Sequence, residues 1–338
     1  MFGAPLALPS VAATTSPSLP LDIESLPTDL ERVEGALKAS VATEDPMLTE
    51  VARSLILAGG KRLRPVLAVA AARAGNADVS NDVVQGAVAV ELVHLGSLYH
   101  DDVMDEAETR RGIITANARY GNFVAIVAGD FCLAVSAQIA ASLGVEVSRL
   151  LGFTIGELCK GQVRELQHLY RLDRPESAYF SSIDGKTASL MSAACRVGAL
   201  TAGLDREHVD ALTAYGQRLG MVFQIADDIL DVIATDEQLG KPAGNDVVEG
   251  VYTLPVLRAL DDPQVGDELR RLLEARVERT AVDHVRKLVR ASAGLDAAIK
   301  VARGYADEAA ALVVRLPNVH VRDELAGLGH SLLDRLPL

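Results

Sequence analysis

The chain has 338 residues, 49% of them apolar but only 4% aromatic and none of them Trp, so its core must be built from Ala, Val, Leu and Ile. Ala and Leu in such quantity favour helix. A formal charge of −13 excludes nucleic acid or an anionic membrane as the main partner, because either calls for a broad basic surface.

Residues 1–21 begin MFGAPLALPSVAATTSPSLP, small, rich in Pro and Ser and free of charged side chains. They lack the basic start and long apolar run of a secretory signal, and read as a disordered leader. From Asp22 onward apolar residues recur at three- and four-residue spacing, as in VVQGAVAVELVHLGSLYH and LTAYGQRLGMVFQIADDILDVIA. Strand signals are absent. Breaks fall at Gly59-Gly60, near Gly75-Asn76, near Arg174-Pro175, at Gly203 and across GKPAGND, and none resembles a domain linker. The pattern predicts one all-α domain over 22–338, a helical bundle. The most apolar runs, such as VLAVAAA, are too short to span a bilayer, so a soluble protein with no transmembrane segment is expected. Cys132, Cys159 and Cys195 are odd in number and set in apolar stretches, which reads as buried free thiols in a reducing cytoplasmic setting.

Two segments share the form DDxxD: Asp101-Asp102-Val103-Met104-Asp105 and Asp227-Asp228-Ile229-Leu230-Asp231. Residues four apart on a helix share a face, so Asp101 stands over Asp105 and Asp227 over Asp231. A single acidic run is usually a solvated face. Two such runs, each reached along an apolar helix, call instead for cations to relieve the repulsion. Hard oxygen ligands suit Mg2+, held by a few carboxylates together with water and phosphate oxygens. No CxxC or HExxH pattern points to a softer metal.

Magnesium held in this way calls for a polyanion, and the donors for one are present. GGKRLRP supplies Lys61, Arg62 and Arg64 after a glycine turn, Arg110 and Arg111 follow the first acidic cluster, Lys186 and Thr187 lie in DGKTASL, and Lys241 lies in GKPAGND. His94 precedes Asp101 by seven residues, two helical turns along the same face.

With GGKRLRP, ELVHLGSLYHDDVMDEAETRRG, GKTASL, FQIADDILD and GKPAGNDVVEGVYTLP in place, the sequence resembles the trans-prenyltransferases of the polyprenyl diphosphate synthase family, from about Leu55 to about Leu257. The resemblance implies an all-helical fold with a deep central cavity, and a Mg-dependent head-to-tail condensation of isopentenyl diphosphate onto an allylic diphosphate such as farnesyl or geranylgeranyl diphosphate. It implies three Mg2+ ions held by Asp101, Asp105 and Asp227, with Asp102, Asp228 and Asp231 acting through waters or hydrogen bonds. Arg110, Lys186 and Lys241 would grip the allylic diphosphate, and Lys61, Arg64, His94 and Arg111 that of isopentenyl diphosphate. Lys186, Thr187 and Gln224 would face the developing cation. A homodimer is also implied.

One departure concerns the end of the last motif, where many relatives read EGK before TLP and this chain has Glu249-Gly250-Val251-Tyr252-Thr253. For product length, the resemblance directs attention to the residues just before Asp101. Gly96 and Ser97 are small, and the two-residue insertion of many short-chain bacterial relatives is missing, so a hexaprenyl to decaprenyl product is expected, octaprenyl or nonaprenyl foremost, with geranylgeranyl as the main rival. Ala134, Ala137 and Ala140 offer a small-residue lining deeper in, and Phe131 or Phe123 a floor. Three other readings fit less well. A non-catalytic subunit of a heteromeric synthase predicts eroded motifs. A class I terpene cyclase would not need Lys61, Arg64 and His94. A phosphohydrolase built on His100-Asp101 leaves the second DDxxD without a role.

Overall fold

The computed structural model describes residues 21–239 and 242–337. Three helices, α1 (Leu26–Ser40), α2 (Pro46–Leu57) and α3 (Leu63–Ala74), lead into α4 (Asn81–Met104). The starts are capped as the sequence dictates: Asp45 accepts from Leu48 N at 2.9 Å before α2, and Ser80 accepts from Val83 N at 3.3 Å before α4. A short hairpin follows, β1 (Thr109–Arg110) antiparallel to β2 (Ile113–Ile114), then α5 (Ala116–Tyr120), α6 (Asn122–Ser142) and α7 (Val145–Leu166). Helix α8 (Glu176–Ile183) runs directly into a π-helical segment (Asp184–Ala188) and on into α9 (Ser189–Thr201). Helix α10 (Arg206–Ile233), capped by Asp205 on His208 N at 3.0 Å, is about 42 Å long. The chain ends with α11 (Asp236–Leu239), α12 (Asn245–Glu249), α13 (Leu254–Leu260), α14 (Gly266–Leu273), α15 (Arg279–Ala291), α16 (Ala293–Leu312) and α17 (Val319–Asp334).

Helix α4 buries residues on every side from Val83 to Tyr99, as a helix enclosed by others must, and α1, α3, α6 and α9 pack around it. Helix α10 links the two halves of the core. Its first turns join the apolar cluster of α1–α4, α6 and α9, and its later turns, Met221 to Val232, join that of α8 and α13–α16. Ala298, Ala302 and Ala306, all fully buried, form a stripe along α16, which packs on α10. Sharing one long helix makes the described residues a single all-α domain, as expected.

Several expectations need correction. A two-stranded hairpin exists where no strand signal was found, because strands two residues long carry no periodicity. Cys132 and Cys195 are buried, and burial pushes both thiols up to about 12, but Cys159 is exposed on α7. Helix α6 is long and apolar enough to cross a membrane, contrary to the reading of short apolar runs. It packs one face on α4 and leaves Phe123, Ile126 and Val127 exposed on another. Ala134 and Ala137 are exposed as well, so of the three alanines offered as an interior lining only Ala140 is buried. Phe123 is 90% exposed and cannot be an interior floor, whereas Phe131 is half-buried against the core. Helical spacing identifies a face without saying what covers it. The leader lies outside the described residues except for Leu21, which packs on the core.

Candidate active site

The first acidic cluster closes α4. Asp101 and Asp102 are in its last turns, and Asp105 caps it, its N–H donating to the Asp101 carbonyl at 2.8 Å, so the i, i+4 stacking persists past the helix end. Asp102 is 1% exposed. Its Oδ1 accepts from Arg110 Nε, and its Oδ2 is buried with no partner. Burial raises the pKa of Asp101, Asp102 and Asp105. Lys186 and Arg110 act against the rise at Asp101 and Asp105, and Arg110 also at Asp102. Crowded carboxylates of this kind are stabilised by cations.

The second cluster divides on α10. Asp227 is exposed, while Asp228 and Asp231 are buried, so the shared face expected of Asp227 and Asp231 ends in two environments. The reason is the loop that folds back onto α10: after Gly244, which takes a φ of 68°, the N–H groups of Asn245 and Asp246 each donate to Asp231 at 3.2 Å. Asp228 accepts from Tyr179 Oη at 2.5 Å and from Gln224 Nε2 at 2.9 Å, and Thr187 Oγ1 donates to Gln224 Oε1 at 2.6 Å. Burial, first, and the neighbouring Asp227 raise the pKa of Asp228.

Lys186, on the π-helical segment, reaches the first cluster. Its Nζ donates to Glu165 Oε1 at 2.6 Å; burial opposes its charge, but Glu165, Asp101 and Asp105 outweigh that and raise its pKa. Glu165 in turn acts on Asp105 and Asp228, so one ion pair lies within electrostatic reach of both acidic clusters. The approach depends on two glycines: a Cβ on Gly161 would lie 2.4 Å from Lys186 N, and one on Gly185 would lie 2.8 Å from Glu157 O.

A separate pocket of arginines adjoins α4. The hairpin turn at Arg111 and Gly112, with φ of 53° and 76°, sends consecutive arginines in different directions. Arg110 goes to Asp102, whereas Arg111 donates to Leu55 O at 3.1 Å and to Gly59 O, its guanidinium packed where a side chain on Gly60 would stand. Arg64 NH1 lies 3.3 Å from His94 Nε2, and Arg64 Nε is buried without an acceptor. Arg62, in the left-handed region at φ 46°, binds Glu34 and the buried Glu91. Burial drives the His94 pKa well below its ordinary value, and Arg64, Arg111, Arg110 and Arg62 push it further down. Glu91 is the acid that acts on Arg62, Arg64 and Arg111 together. Such a positive pocket with one internal carboxylate suits a polyanion.

Of the other expected residues, Lys61 is exposed beside this pocket and Lys241 lies outside the described residues. Ser97 is half-buried, its Oγ donating to His94 O at 2.8 Å. Gly96 has a second reason to be small: a Cβ there would stand 3.0 Å from Gly129 O on α6. Glu165, Tyr179, Glu91 and Arg174 were not foreseen: Glu165, Tyr179 and Arg174 are single residues with no motif around them, and Glu91, although it opens ELVHLGSLYHDDVMDEAETRRG, gains its role only from its burial among three arginines. Among the described residues no three His, Cys, Asp or Glu side chains gather closely enough to hold a metal unaided. The all-oxygen donor set and the unpartnered Asp102 Oδ2 nonetheless fit a hard cation that also takes ligands from a bound polyanion. Two surface depressions of about 430 and 440 Å3, one near Arg73 and His320 and the other near Thr43 and Phe131, contain none of the expected diphosphate- or metal-binding residues.

Two carboxylate clusters within electrostatic reach of one Glu165–Lys186 ion pair, beside an arginine pocket on a helical scaffold, define an enzyme that handles polyanions. Residues 45–292 match the polyprenyl synthetase family model, and the chain belongs to that family of prenyltransferases. It is 40% identical over 301 residues to the nonaprenyl diphosphate synthase of Mycobacterium tuberculosis, covering 88% of this chain and 89% of the relative. It is 45% identical over 241 residues to heptaprenyl diphosphate synthase component 2 of Geobacillus stearothermophilus, covering 71% and 75%. The crystal structure of a Caulobacter crescentus polyprenyl synthase complexed with calcium and isoprenyl diphosphate superposes with a TM-score of 0.85 at 33% identity, covering 92% of this chain and 95% of the other.

Proposed function

We propose that the protein is a long-chain polyprenyl diphosphate synthase, adding isopentenyl units in trans to an allylic diphosphate until the product is hexaprenyl to decaprenyl in length. The observation that carries this reading is the Glu165–Lys186 pair within electrostatic reach of both aspartate clusters, with a second, separate cationic pocket around Arg64, Arg111 and His94. Two anionic substrates need two grips.

Asp101, Asp105 and Asp227 would hold the metal ions, with Asp102, Asp228 and Asp231 orienting the surrounding groups. Three Mg2+ ions, when bound, supply charge neutralisation and Lewis acidity at the allylic diphosphate. Arg110 and Lys186, with Lys241, bind that diphosphate; Lys61, Arg64, Arg111 and His94 bind the diphosphate of isopentenyl diphosphate. His94 is uncharged in this setting and serves as a hydrogen-bonding group, because four guanidinium groups and burial disfavour its proton. The allylic C–O bond breaks and its electron pair leaves with the diphosphate. The isopentenyl double bond forms the new C–C bond, and the proton released passes to the departing diphosphate. The fixed dipoles of Thr187 and Gln224, ordered by Asp228 and Tyr179, face the positive charge that develops. Ser97, one turn before Asp101, borders the path of the growing tail.

The apolar residues exposed on α6 and α7, including Phe123, Val127, Val145 and Phe153, are suited to burial against a second copy of the chain. A different partner component is the second reading, favoured by the similarity to a protein described as component 2. Incubation of the purified chain alone with Mg2+, isopentenyl diphosphate and farnesyl diphosphate, followed by sizing of the product and sedimentation of the protein, tests both. Absence of isopentenyl incorporation by the chain alone rejects the self-sufficient synthase.

A further inference from the structure

Arg174 stands immediately before α8 and is 5% exposed. Its NH1 donates to the Tyr252 carbonyl at 3.0 Å and its NH2 to Ser182 Oγ at 2.6 Å, while its Nε is buried with no acceptor. None of these partners is a carboxylate. The guanidinium carbon lies 5.5 Å from the centroid of Tyr179, whose hydroxyl donates to Asp228. Burial opposes its charge, and the groups that sustain it are Glu165, Tyr179 and Asp228, two of them acids of the candidate site. A buried guanidinium stays protonated and is costly without an ion pair, so its retention calls for a further anion or a positioning task. The stretch to which it is bonded, Glu249 to Pro255, carries no cation of its own, and Val251 precedes the residue whose carbonyl Arg174 holds.

We propose that Arg174 is a positioning residue for the allylic diphosphate, supplying from behind α8 the positive charge that the 249–255 stretch lacks while fixing the Tyr252 carbonyl and the Tyr179–Asp228 contact. This inference rests on the synthase reading above. Arg174 bridges α8 and the residues just before α13, and its charge is within electrostatic reach of Glu165 and Asp228. Arg276 is a further cation near this stretch, stacked 4.8 Å over Tyr170, whose ring packs on Gly250, and it is exposed.

The test is steady-state kinetics on the full chain, varying farnesyl diphosphate and isopentenyl diphosphate in turn. Arg174→Met is expected to raise KM for the allylic substrate about tenfold or more, the range for a lost charged hydrogen-bonding group, and to leave KM for isopentenyl diphosphate within about twofold. Arg174→Lys should restore most of the loss, and adding Val251→Lys to Arg174→Met should restore part of it. Arg276→Gln should change neither KM. An unchanged allylic KM in Arg174→Met, an equal rise in both KM values, or no recovery with either lysine would overturn the proposal. Should Arg174→Met melt below the assay temperature, Arg174→Gln, which keeps a donor for the Tyr252 carbonyl, is measured instead with the same expected rise. Failure of the unsubstituted chain to incorporate isopentenyl units would instead overturn the synthase reading itself.

Discussion

Replacing Gly161 with Ala adds a single methyl group at the point where α7 meets the π-helical segment. The new Cβ would lie 2.4 Å from Lys186 N and 2.8 Å from both Gly185 C and Ser182 O, and all three are backbone atoms that cannot rotate aside. Overpacking of this kind typically costs about 1–3 kcal/mol. The better helix propensity of Ala returns at most about 1 kcal/mol, so the variant should be less stable. Because the displaced segment carries Lys186 and Thr187, incorporation of isopentenyl units should fall by more than the loss of folded protein explains. Gly304→Ala, in the interior of α16, meets nothing within 4 Å and should gain stability while keeping activity. Urea unfolding and initial rates on both variants supply the comparison. A Gly161→Ala protein with full activity and undiminished stability would refute the close-contact reasoning.

Further outcomes follow from the same geometry. Ser97→Phe should shorten the product if the tail passes that side chain; an unchanged length distribution would assign the floor elsewhere. Chelation of divalent metal by EDTA should abolish incorporation, with recovery on adding Mg2+, and activity that survives chelation would contradict the role given to Asp101, Asp105 and Asp227. His94 is held neutral in the fold, its pKa well below the ordinary 6.5, with Arg64, Arg111, Arg110, Arg62 and Glu91 around it. The unfolded chain therefore takes up a proton that the folded one refuses. The stability of the unsubstituted protein relative to His94→Asn should be constant above about pH 6.5 and fall on acidification by up to about 1.4 kcal/mol per pH unit. A difference independent of pH between 5 and 7 would show that His94 is not held neutral.

Helical periodicity and the paired DDxxD segments made the all-α architecture and both acidic clusters legible in the sequence. Asp101 and Asp105 keep the stacking that i, i+4 spacing implies. Asp227 and Asp231 do not share an environment, because the capture of Asp231 by the backbone of residues 245–246 depends on how a distant loop folds back. Glu165 was invisible for a related reason: a single acid near the end of α7 acquires its importance only when Gly161 and Gly185 bring Lys186 against it. The exposed Ala134, Ala137 and Phe123 mark the opposite failure, in which spacing alone suggested an interior that the outer face of α6 does not provide. That outer face also explains why α6 has the composition of a membrane-spanning helix. Gly96 was read for the tail and proves to be needed by α6 as well.

The most direct test is mass spectrometry of the product made by the purified chain alone from Mg2+, isopentenyl diphosphate and farnesyl diphosphate. A linear polyprenyl diphosphate of hexaprenyl to decaprenyl length is predicted. A product that stops at geranylgeranyl diphosphate, a cyclic hydrocarbon, or no incorporation of isopentenyl units would contradict it.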